Sequence, residues 1–115
     1  MTEKQFDEIV EFRLKAIKET LIEKGKEYRR NNDPLHNFNI GAKITGTTRE
    51  KVLWGFALKH HISVMDMIDD LDKDILPNPF SVEEKIGDLI NYLILLEASI
   101  KDRFLDTNIF KTKHK

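Results

Sequence analysis

Cysteine is absent from the 115 residues of this chain, which excludes disulfides, thiolate nucleophiles and cysteine-ligated zinc. A long apolar run is also missing. Residues 89–96 are the most apolar stretch, which is far shorter than the roughly 20 residues of a membrane-spanning helix. Residues 1–8 hold three acids and no apolar run, so no secretory signal and no membrane partner are expected, and a cytoplasmic location is predicted.

Neither sign of charge dominates, because 19 basic residues oppose 20 acidic ones and the net charge is −1. This balance gives no field that steers the whole protein to nucleic acid or to a membrane surface. Common catalytic signatures are missing as well: the chain has no Walker loop, no Gly-x-Gly-x-x-Gly, no Gly-x-Ser-x-Gly and no His-Glu-x-x-His. Anion binding would therefore need a local basic patch.

What the chain does contain is helical periodicity. With 40% apolar residues, its composition is that of a globular protein, and we expect one domain over residues 1–105 and a charged tail over 106–115. Apolar residues recur at helical spacing in three long segments. These segments predict an all-α fold of three long helices plus a short one at 37–44.

Capping patterns predict where these helices begin and end. Capping boxes that open at Thr2, Thr47 and Ser81 are expected to start the three long helices. Gly25 is expected to end or interrupt the first helix, and Gly46 to end the short one. The segment between Gly25 and the short helix is expected to be a loop, because it is rich in turn formers and has no periodicity.

The second and third long helices are apolar around much of their circumference. On the second, Trp54, Leu58, Met65 and Ile68 lie on a face beside its main apolar stripe, and on the third residues 89–96 are apolar nearly all round. Three helices form only a small core. A homo-oligomer, dimeric or larger, that completes a four-helix arrangement is therefore expected.

Polar groups set into the third helix predict a binding site. Glu84, Asp88 and Asn91 follow one another at i, i+4 and i+7, so they lie on one side of the helix. Two such carboxylates repel unless a cation lies between them, and Mg²⁺ or Mn²⁺ suits oxygen ligands. Two other interpretations stay open. In the first, Glu84 is only the capping partner of Ser81. In the second, Asp88 and Asn91 form a structural hydrogen-bonded pair, or a salt bridge joins this site to Lys59 or Lys85.

The second helix carries a polar stripe with two candidate functional residues. Lys59 would bind a phosphate group, and Asp66 would bind a metal ion. A solvated helix face is the alternative. His60 falls on the main apolar stripe of this helix, which favours a core histidine with its hydrogen bonds satisfied. In the preceding loop, Lys26, Tyr28 and Asn37 are candidates for holding a nucleotide, through charge and base stacking, and a solvated basic loop is the alternative.

Four short motifs in this chain resemble those of a known family. They are Gly25-Lys26-Glu27-Tyr28, Asn37-Phe38, Lys59-His60 and Asp88-Leu89-Ile90-Asn91-Tyr92. The set resembles the MazG-like all-α nucleoside triphosphate pyrophosphohydrolases, and more closely the small phage-encoded nucleotide modification associated domains. The likeness covers residues 20–100 in short, degenerate motifs.

That resemblance implies a MazG-like helical bundle in the host cytoplasm that binds a nucleotide or nucleoside triphosphate. Metal would be held by Asp88, Glu84 and Asp66, which would also be the catalytic set. Substrate would contact Lys26, Tyr28, Asn37, Lys59 and Asn91. The chain departs from the catalytic family pattern because Lys85 stands where a glutamate is expected. The two resulting hypotheses are a Mg²⁺-dependent pyrophosphohydrolase acting on a free or modified (deoxy)nucleotide, and a non-catalytic protein that binds a nucleotide or a host protein.

Overall fold

The computed structural model describes residues 1–105, apart from the side chain of Tyr28. Within this range the chain is all-helical and contains no β-strand, which confirms the fold class predicted from the sequence. No helix in this range has both the length and the apolar composition needed to cross a membrane. The predicted charged tail, residues 106–115, lies outside the described residues. The helices are α1 (Glu3–Ile17), α2 (Gly25–Tyr28), α3 (His36–Thr45), α4 (Arg49–Asp72) and α5 (Pro79–Asp102).

The start of α1 confirms the first capping box. The amide of Gln5 donates to the Thr2 hydroxyl at 3.1 Å, and the Thr2 amide donates back to Oε1 of Gln5 at 2.8 Å. The expected break at Gly25 is wrong, however. After α1 the chain continues as a π-helical stretch, Lys18–Lys24, and Gly25 keeps right-handed helical geometry at the start of the single-turn α2. The Leu21 carbonyl accepts a hydrogen bond from the guanidinium of Arg29, a residue expected only in a loop.

The short helix α3 agrees with its expected range to within one residue at each end. Gly46 ends it in the left-handed conformation, at a φ of 67°, as the sequence predicted. Helix α4 then begins one residue later than its predicted capping box. Thr48, not Thr47, is the cap and accepts from the Lys51 amide at 3.2 Å. Glu50 was expected to close that box, but its carboxylate accepts hydrogen bonds from Ser99 and Arg103 instead.

The start of α5 also corrects the sequence prediction. Asn78 is the cap, and its side chain accepts from the Phe80 amide at 2.8 Å. Pro79 occupies the first turn, where its missing N–H leaves no donor unsatisfied, and it favours extended backbone at the residue before it. Ser81 and Glu84 therefore lie inside the helix. The interpretation of Glu84 as a capping partner is wrong.

Helices α4 and α5 pack side by side in antiparallel directions and form the centre of the fold. Contacts between Arg49 and Ser99 at one end, Phe56 and Tyr92 further along, and His60 and Asp88 beyond them fix their register. The core is small and lies mainly on one face of α4, with Leu35 contributed by the turn before α3. Its buried apolar residues are Leu35, Leu53, Ala57, Val64 and Met67.

Arg13 of α1 makes a close polar contact with α5. The Arg13 guanidinium donates to the Glu83 carbonyl at 3.0 Å and lies directly over Gly87, which is buried. A Cβ atom at position 87 would come within 2.5 Å of that guanidinium, so glycine leaves room for the contact. No residue of α1 is buried. Its apolar stripe of Phe6, Ile9, Val10 and Leu14 is exposed, contrary to the role in the core that its periodicity suggests.

Arg49, at the first position of α4, joins three helices. Its Nε donates to the Ser99 hydroxyl at 2.6 Å, and its Nη2 donates to the Ser99 carbonyl at 3.0 Å and to Asp102 at 3.1 Å. Its Nη1 donates to Asn39 of α3 at 3.1 Å. Ser99 is fully buried and its hydroxyl donates in turn to Glu50. These contacts border an open cavity of about 560 Å³ whose lining includes His36, Lys43, Arg49 and Arg103.

Glu50 completes this group of polar side chains. Burial acts to raise the pKa of the Glu50 carboxyl, but hydrogen bonds from Arg103 and Ser99 and the charges of Arg103 and Arg49 outweigh that effect. The pKa therefore lies below its ordinary value of 4.5. The ionised carboxylate is the form that the folded state favours.

Replacing Arg49 tests whether this group holds the fold together. We expect Arg49→Met to lower the free energy of unfolding by about 3 kcal/mol, because it leaves the Glu50 carboxylate and the Ser99 hydroxyl with fewer partners in a mostly buried setting. Urea denaturation followed by circular dichroism measures this change. Lys51→Met, at an exposed position of the same helix turn, is the control and is expected to change stability by less than about 0.5 kcal/mol. Equal effects of the two changes would contradict the role given to Arg49.

The lowered pKa of Glu50 also makes stability depend on pH. A carboxyl whose folded pKa is depressed contributes stability above its unfolded pKa and loses it as pH falls through the folded value. The excess stability of wild type over Glu50→Gln should be constant near neutral pH and should shrink below 4.5. Urea midpoints of both proteins over this pH range provide the measurement. A difference that does not change with pH would show that the Glu50 charge is not stabilised by folding.

Candidate functional site

Aromatic rings from three helices meet around Tyr92 of α5. The Tyr92 ring is nearly parallel to His60 and Phe56 of α4, with centroid separations of 4.9 and 5.6 Å. Phe38 of α3 approaches Phe56 and Tyr92 edge-on, at 6.1 and 6.5 Å. These distances and angles are those at which aromatic pairs attract one another. We call Phe38, Phe56, His60 and Tyr92 the aromatic cluster.

Asp88 adjoins this cluster, one helical turn before Tyr92. Its Oδ2 lies 3.7 Å from Nδ1 of His60, and its side chain is 44% exposed. This separation is too long for a hydrogen bond, so the two groups attract strongly only when His60 carries a proton. The sequence had suggested Lys59 or Lys85 as the partner of Asp88, whereas His60 is the partner observed. Burial raises the pKa of the Tyr92 hydroxyl, and the nearby Asp88 carboxylate raises it further.

Asn91 is the most informative polar residue of the site. Its Oδ1 is buried and has no hydrogen-bond partner among the described residues. An unpaired buried acceptor costs about 1–3 kcal/mol, so a position that keeps one needs a reason beyond packing. Asn91 is adjacent to Tyr92 and three residues after Asp88. A ligand donor or a bound water at this point would satisfy the amide oxygen.

The remaining predicted residues of α4 and α5 lie near the surface. Lys59, Asp66 and Glu84 are exposed. Lys59 follows Phe56 by three residues, so the two side chains are neighbours on the helix surface. Glu84 precedes Asp88 by one turn, as expected from the sequence.

Metal ligands are only partly assembled in one chain. Residues 1–105 bring together no group of three or more His, Asp or Glu side chains that could hold a metal ion. Glu84 and Asp88 lie on successive turns of α5, at the spacing predicted for a carboxylate pair, and Asp66 does not join them in such a group. Mg²⁺ is often held by one or two carboxylates together with phosphate oxygens and water. The donor set therefore fits a metal that arrives with a phosphate ligand, and does not form a metal cage by itself.

Predicted residues of the loop region divide into two groups. Asn37 borders a cavity of about 200 Å³ whose lining includes Arg29, His36 and Phe38. Phe38 also belongs to the aromatic cluster, so this cavity and the cluster share a wall. Lys26 is exposed on α2. Tyr28 belongs to the same turn, and its side chain lies outside the described residues.

Sequence reasoning missed two functional features of this site. It assigned His60 to the core, whereas His60 is half-buried, stacks on Tyr92 and faces Asp88. It also gave Phe56 no role beyond the apolar stripe. Phe56 precedes His60 by four residues on α4, and this spacing could have indicated that both rings meet one partner on α5.

In comparisons with protein-family models, curated proteins and solved structures, no match to this chain was found. A function for this chain is therefore inferred from the geometry of the site and from the resemblance of its short motifs.

Asn91→Leu tests whether Asn91 serves a ligand. Leucine has a similar shape and removes the unpaired acceptor, so we expect the free energy of unfolding to rise by about 1 kcal/mol. Asn37→Leu, at an exposed position, is the control and is expected to change stability little. Chemical denaturation of the ligand-free proteins provides the measurement. A marked loss of stability in Asn91→Leu would mean that the amide already has partners that stabilise the fold.

Proposed function

We propose that this chain is a nucleotide-handling protein of the MazG-like helical type, which binds a nucleoside triphosphate or a modified (deoxy)nucleotide beside Asp88. The observation that carries this proposal is the unpaired buried amide oxygen of Asn91, a residue next to Tyr92 of the aromatic cluster and three residues after the half-exposed Asp88. A protein recognises a nucleobase by hydrogen bonds to the edge of the base and by stacking on aromatic side chains, and an unpaired amide beside exposed aromatic surface offers both. The all-α fold is compatible with the resemblance of the four short motifs to that family. A cytoplasmic location belongs to the same proposal.

The residues around the cluster suggest how the two ends of a nucleotide are bound. A base has donors for the Asn91 oxygen and a flat face for Phe56, whose side chain is partly exposed. Lys59 lies one turn beyond Phe56 and can neutralise phosphate, with Lys26 and Tyr28 as further candidates on α2. Asn37, at the cavity that shares Phe38 with the cluster, would contact the sugar or the base.

Asp88 and Glu84 are the residues that would hold Mg²⁺ or Mn²⁺ together with the phosphates, with Asp66 as an outer candidate. The metal would supply charge neutralisation and an activated water for pyrophosphohydrolysis. His60 faces the same carboxylate, with its Nδ1 3.7 Å from Oδ2 of Asp88. In this scheme Asp88 orients the metal–phosphate unit, and the aromatic cluster keeps water away from the base.

A non-catalytic role is the second candidate, and one observation favours it. The carboxylates of residues 1–105 do not form a three-ligand group, and Lys85 stands at a position where the catalytic family has a glutamate. Under this alternative the scaffold binds a nucleotide, or a host protein, without turnover. Product analysis by chromatography after incubation with a panel of nucleoside triphosphates and Mg²⁺ or Mn²⁺ separates the two candidates.

Thermal melting of wild type and Asp88→Asn, with and without nucleotide and Mg²⁺, tests the binding proposal. A ligand at 100 times its dissociation constant adds about 2.7 kcal/mol of stability, so wild type should melt at a clearly higher temperature with both present. Asp88→Asn should keep its helical content and lose the shift that depends on Mg²⁺. Asp69→Asn, which removes the same charge from an exposed position of α4, should behave as wild type does.

Two outcomes would contradict the proposal. A wild-type melting temperature unchanged by every nucleotide in the panel would exclude binding of those nucleotides. A large destabilisation of Asp88→Asn, with no effect of Mg²⁺ on wild type, would instead identify Asp88 as a structural partner of His60.

A further inference from the structure

A large apolar groove, with a volume of about 1200 Å³, lies between α1 and the start of α5. We call it the α1–α5 groove. Helix α1 contributes no buried residue, so its side of the groove is open to solvent. Ile9 is 53% exposed and Phe12 45%, and Leu76, from the segment before α5, is 84% exposed. The apolar lining includes Ile9, Phe12, Leu76, Val82, Ile86 and Ile90.

This groove is separate from the candidate nucleotide site. Ile86 lies two residues from both Glu84 and Asp88, and at about 100° per residue it projects about 160° away from each of them. The described residues that line the groove include no member of the aromatic cluster. The groove therefore lies on the opposite side of α5 from Asp88.

The dimensions of the groove suit an α-helix. Its lining extends from Met1 to Leu14 on one side and from Pro79 to Ile90 on the other. At 1.5 Å per residue the two walls are about 17–20 Å long, which is the length of a helix of about three to four turns. Both walls are helices and offer no strand edge, so an extended segment would bury unpaired backbone groups here. A helix bonds its own backbone and can bury an apolar face in the groove.

The charges around the groove are mostly negative. Residues 3–11 carry four acids and one lysine, and so do residues 69–74, which lead to Leu76. Each segment therefore has a net charge of −3, whereas the whole chain has a net charge of only −1. Glu8 and Glu83 line the groove itself. Within residues 1–105, no ion pair neutralises any of these carboxylates.

We propose that the α1–α5 groove binds an amphipathic helix of a partner protein, with lysine or arginine on both sides of its apolar face. Apolar side chains of the partner at i, i+3, i+4 and i+7 pack against Ile9, Phe12 and Ile86. Its basic side chains pair with Glu8 and Glu83, which are both exposed. The same acids repel an anionic membrane surface. This inference goes beyond the proposed nucleotide function and does not depend on it.

A designed peptide tests the groove directly. The probe is a fluorescein-labelled peptide of about 14 leucines and lysines, with the leucines at helical spacing. Its anisotropy, on titration with the full chain, should show binding at micromolar concentration. A peptide of the same composition in scrambled order, and one with glutamate in place of every lysine, should bind at least roughly tenfold more weakly. No binding of the first peptide, or equal binding of all three, would overturn the proposal.

Matched double variants locate the bound peptide. Ile9→Gln with Phe12→Gln removes two apolar side chains from the groove and should lower the affinity roughly tenfold or more. Leu58→Gln with Met65→Gln makes a similar change at exposed positions of α4, outside the groove, and should leave the affinity unchanged. A loss in the α4 variant that equals or exceeds the loss in the groove variant would overturn the proposal.

A second pair of variants tests the charge of the groove. Glu8→Gln with Glu83→Gln should weaken binding several-fold without changing the helical content measured by circular dichroism. Glu23→Gln with Glu27→Gln removes the same charge from exposed positions outside the groove and should have little effect. This pair still decides the question if Ile9→Gln with Phe12→Gln fails to fold. Equal affinities of the two charge variants would contradict a basic partner.

Two other occupants would be revealed by further measurements. Residues 106–115 contain Ile109, Phe110 and three lysines, and their deletion should leave the affinity for the peptide unchanged. Tighter binding after the deletion would show that this segment occupies the groove. Light scattering that gives two chains for wild type and one for Ile9→Gln with Phe12→Gln would assign the groove to a second copy. Either result would overturn the proposal.

Discussion

The contacts of one arginine anchor one end of the α4–α5 pair, and the candidate site depends on the register of these two helices. Arg49 bonds the Ser99 hydroxyl and carbonyl from the first turn of α4, while Asn39 ties α3 to the same guanidinium. Because α4 and α5 are antiparallel neighbours, pairing at this end is consistent with the pairings of Phe56 with Tyr92 and of His60 with Asp88 further along. A slip of one turn would separate Tyr92 from Phe56 and Asp88 from His60, and the candidate site would not form.

The same arrangement explains why so much apolar surface stays exposed. A single α4–α5 pair buries one stripe of each helix, and α3 covers only one of the two sides that remain. Helix α1 contributes no buried residue, and a helix of about 15 residues is marginal in water without packing. The polar group around Arg49 supplies specificity that this small core lacks.

Local sequence signals identified the fold class and the approximate range of each helix. The apolar period, the capping box of Thr2 and the left-handed Gly46 depend on residues close together in the chain, so they could be read directly. The start of α5 was misplaced because two caps compete within four residues. Pro79 favours the one at Asn78. Gly25 was misread because a π-helical stretch has no marker in the apolar pattern.

The candidate site was predictable only in part, for a related reason. Asp88 and Asn91 could be selected because polar residues are costly in an apolar helix. Their partners come from another helix, and only the register of α4 against α5 determines that His60 rather than Lys59 meets Asp88. The Arg49 group was missed because Ser99 has no local signal of its role. Such tertiary polar contacts depend on how helices are paired, which periodicity does not specify.

Amide chemical shifts of the full chain are the most direct test of whether a nucleotide binds beside Asp88 and the aromatic cluster. On titration with a nucleoside triphosphate and Mg²⁺, the largest shift changes are expected at residues 88–92 and around His60. The amides near Lys43 and Arg103, which line the other basic cavity, should change little. Shift changes concentrated at that second cavity, or none at saturating nucleotide, would contradict the account.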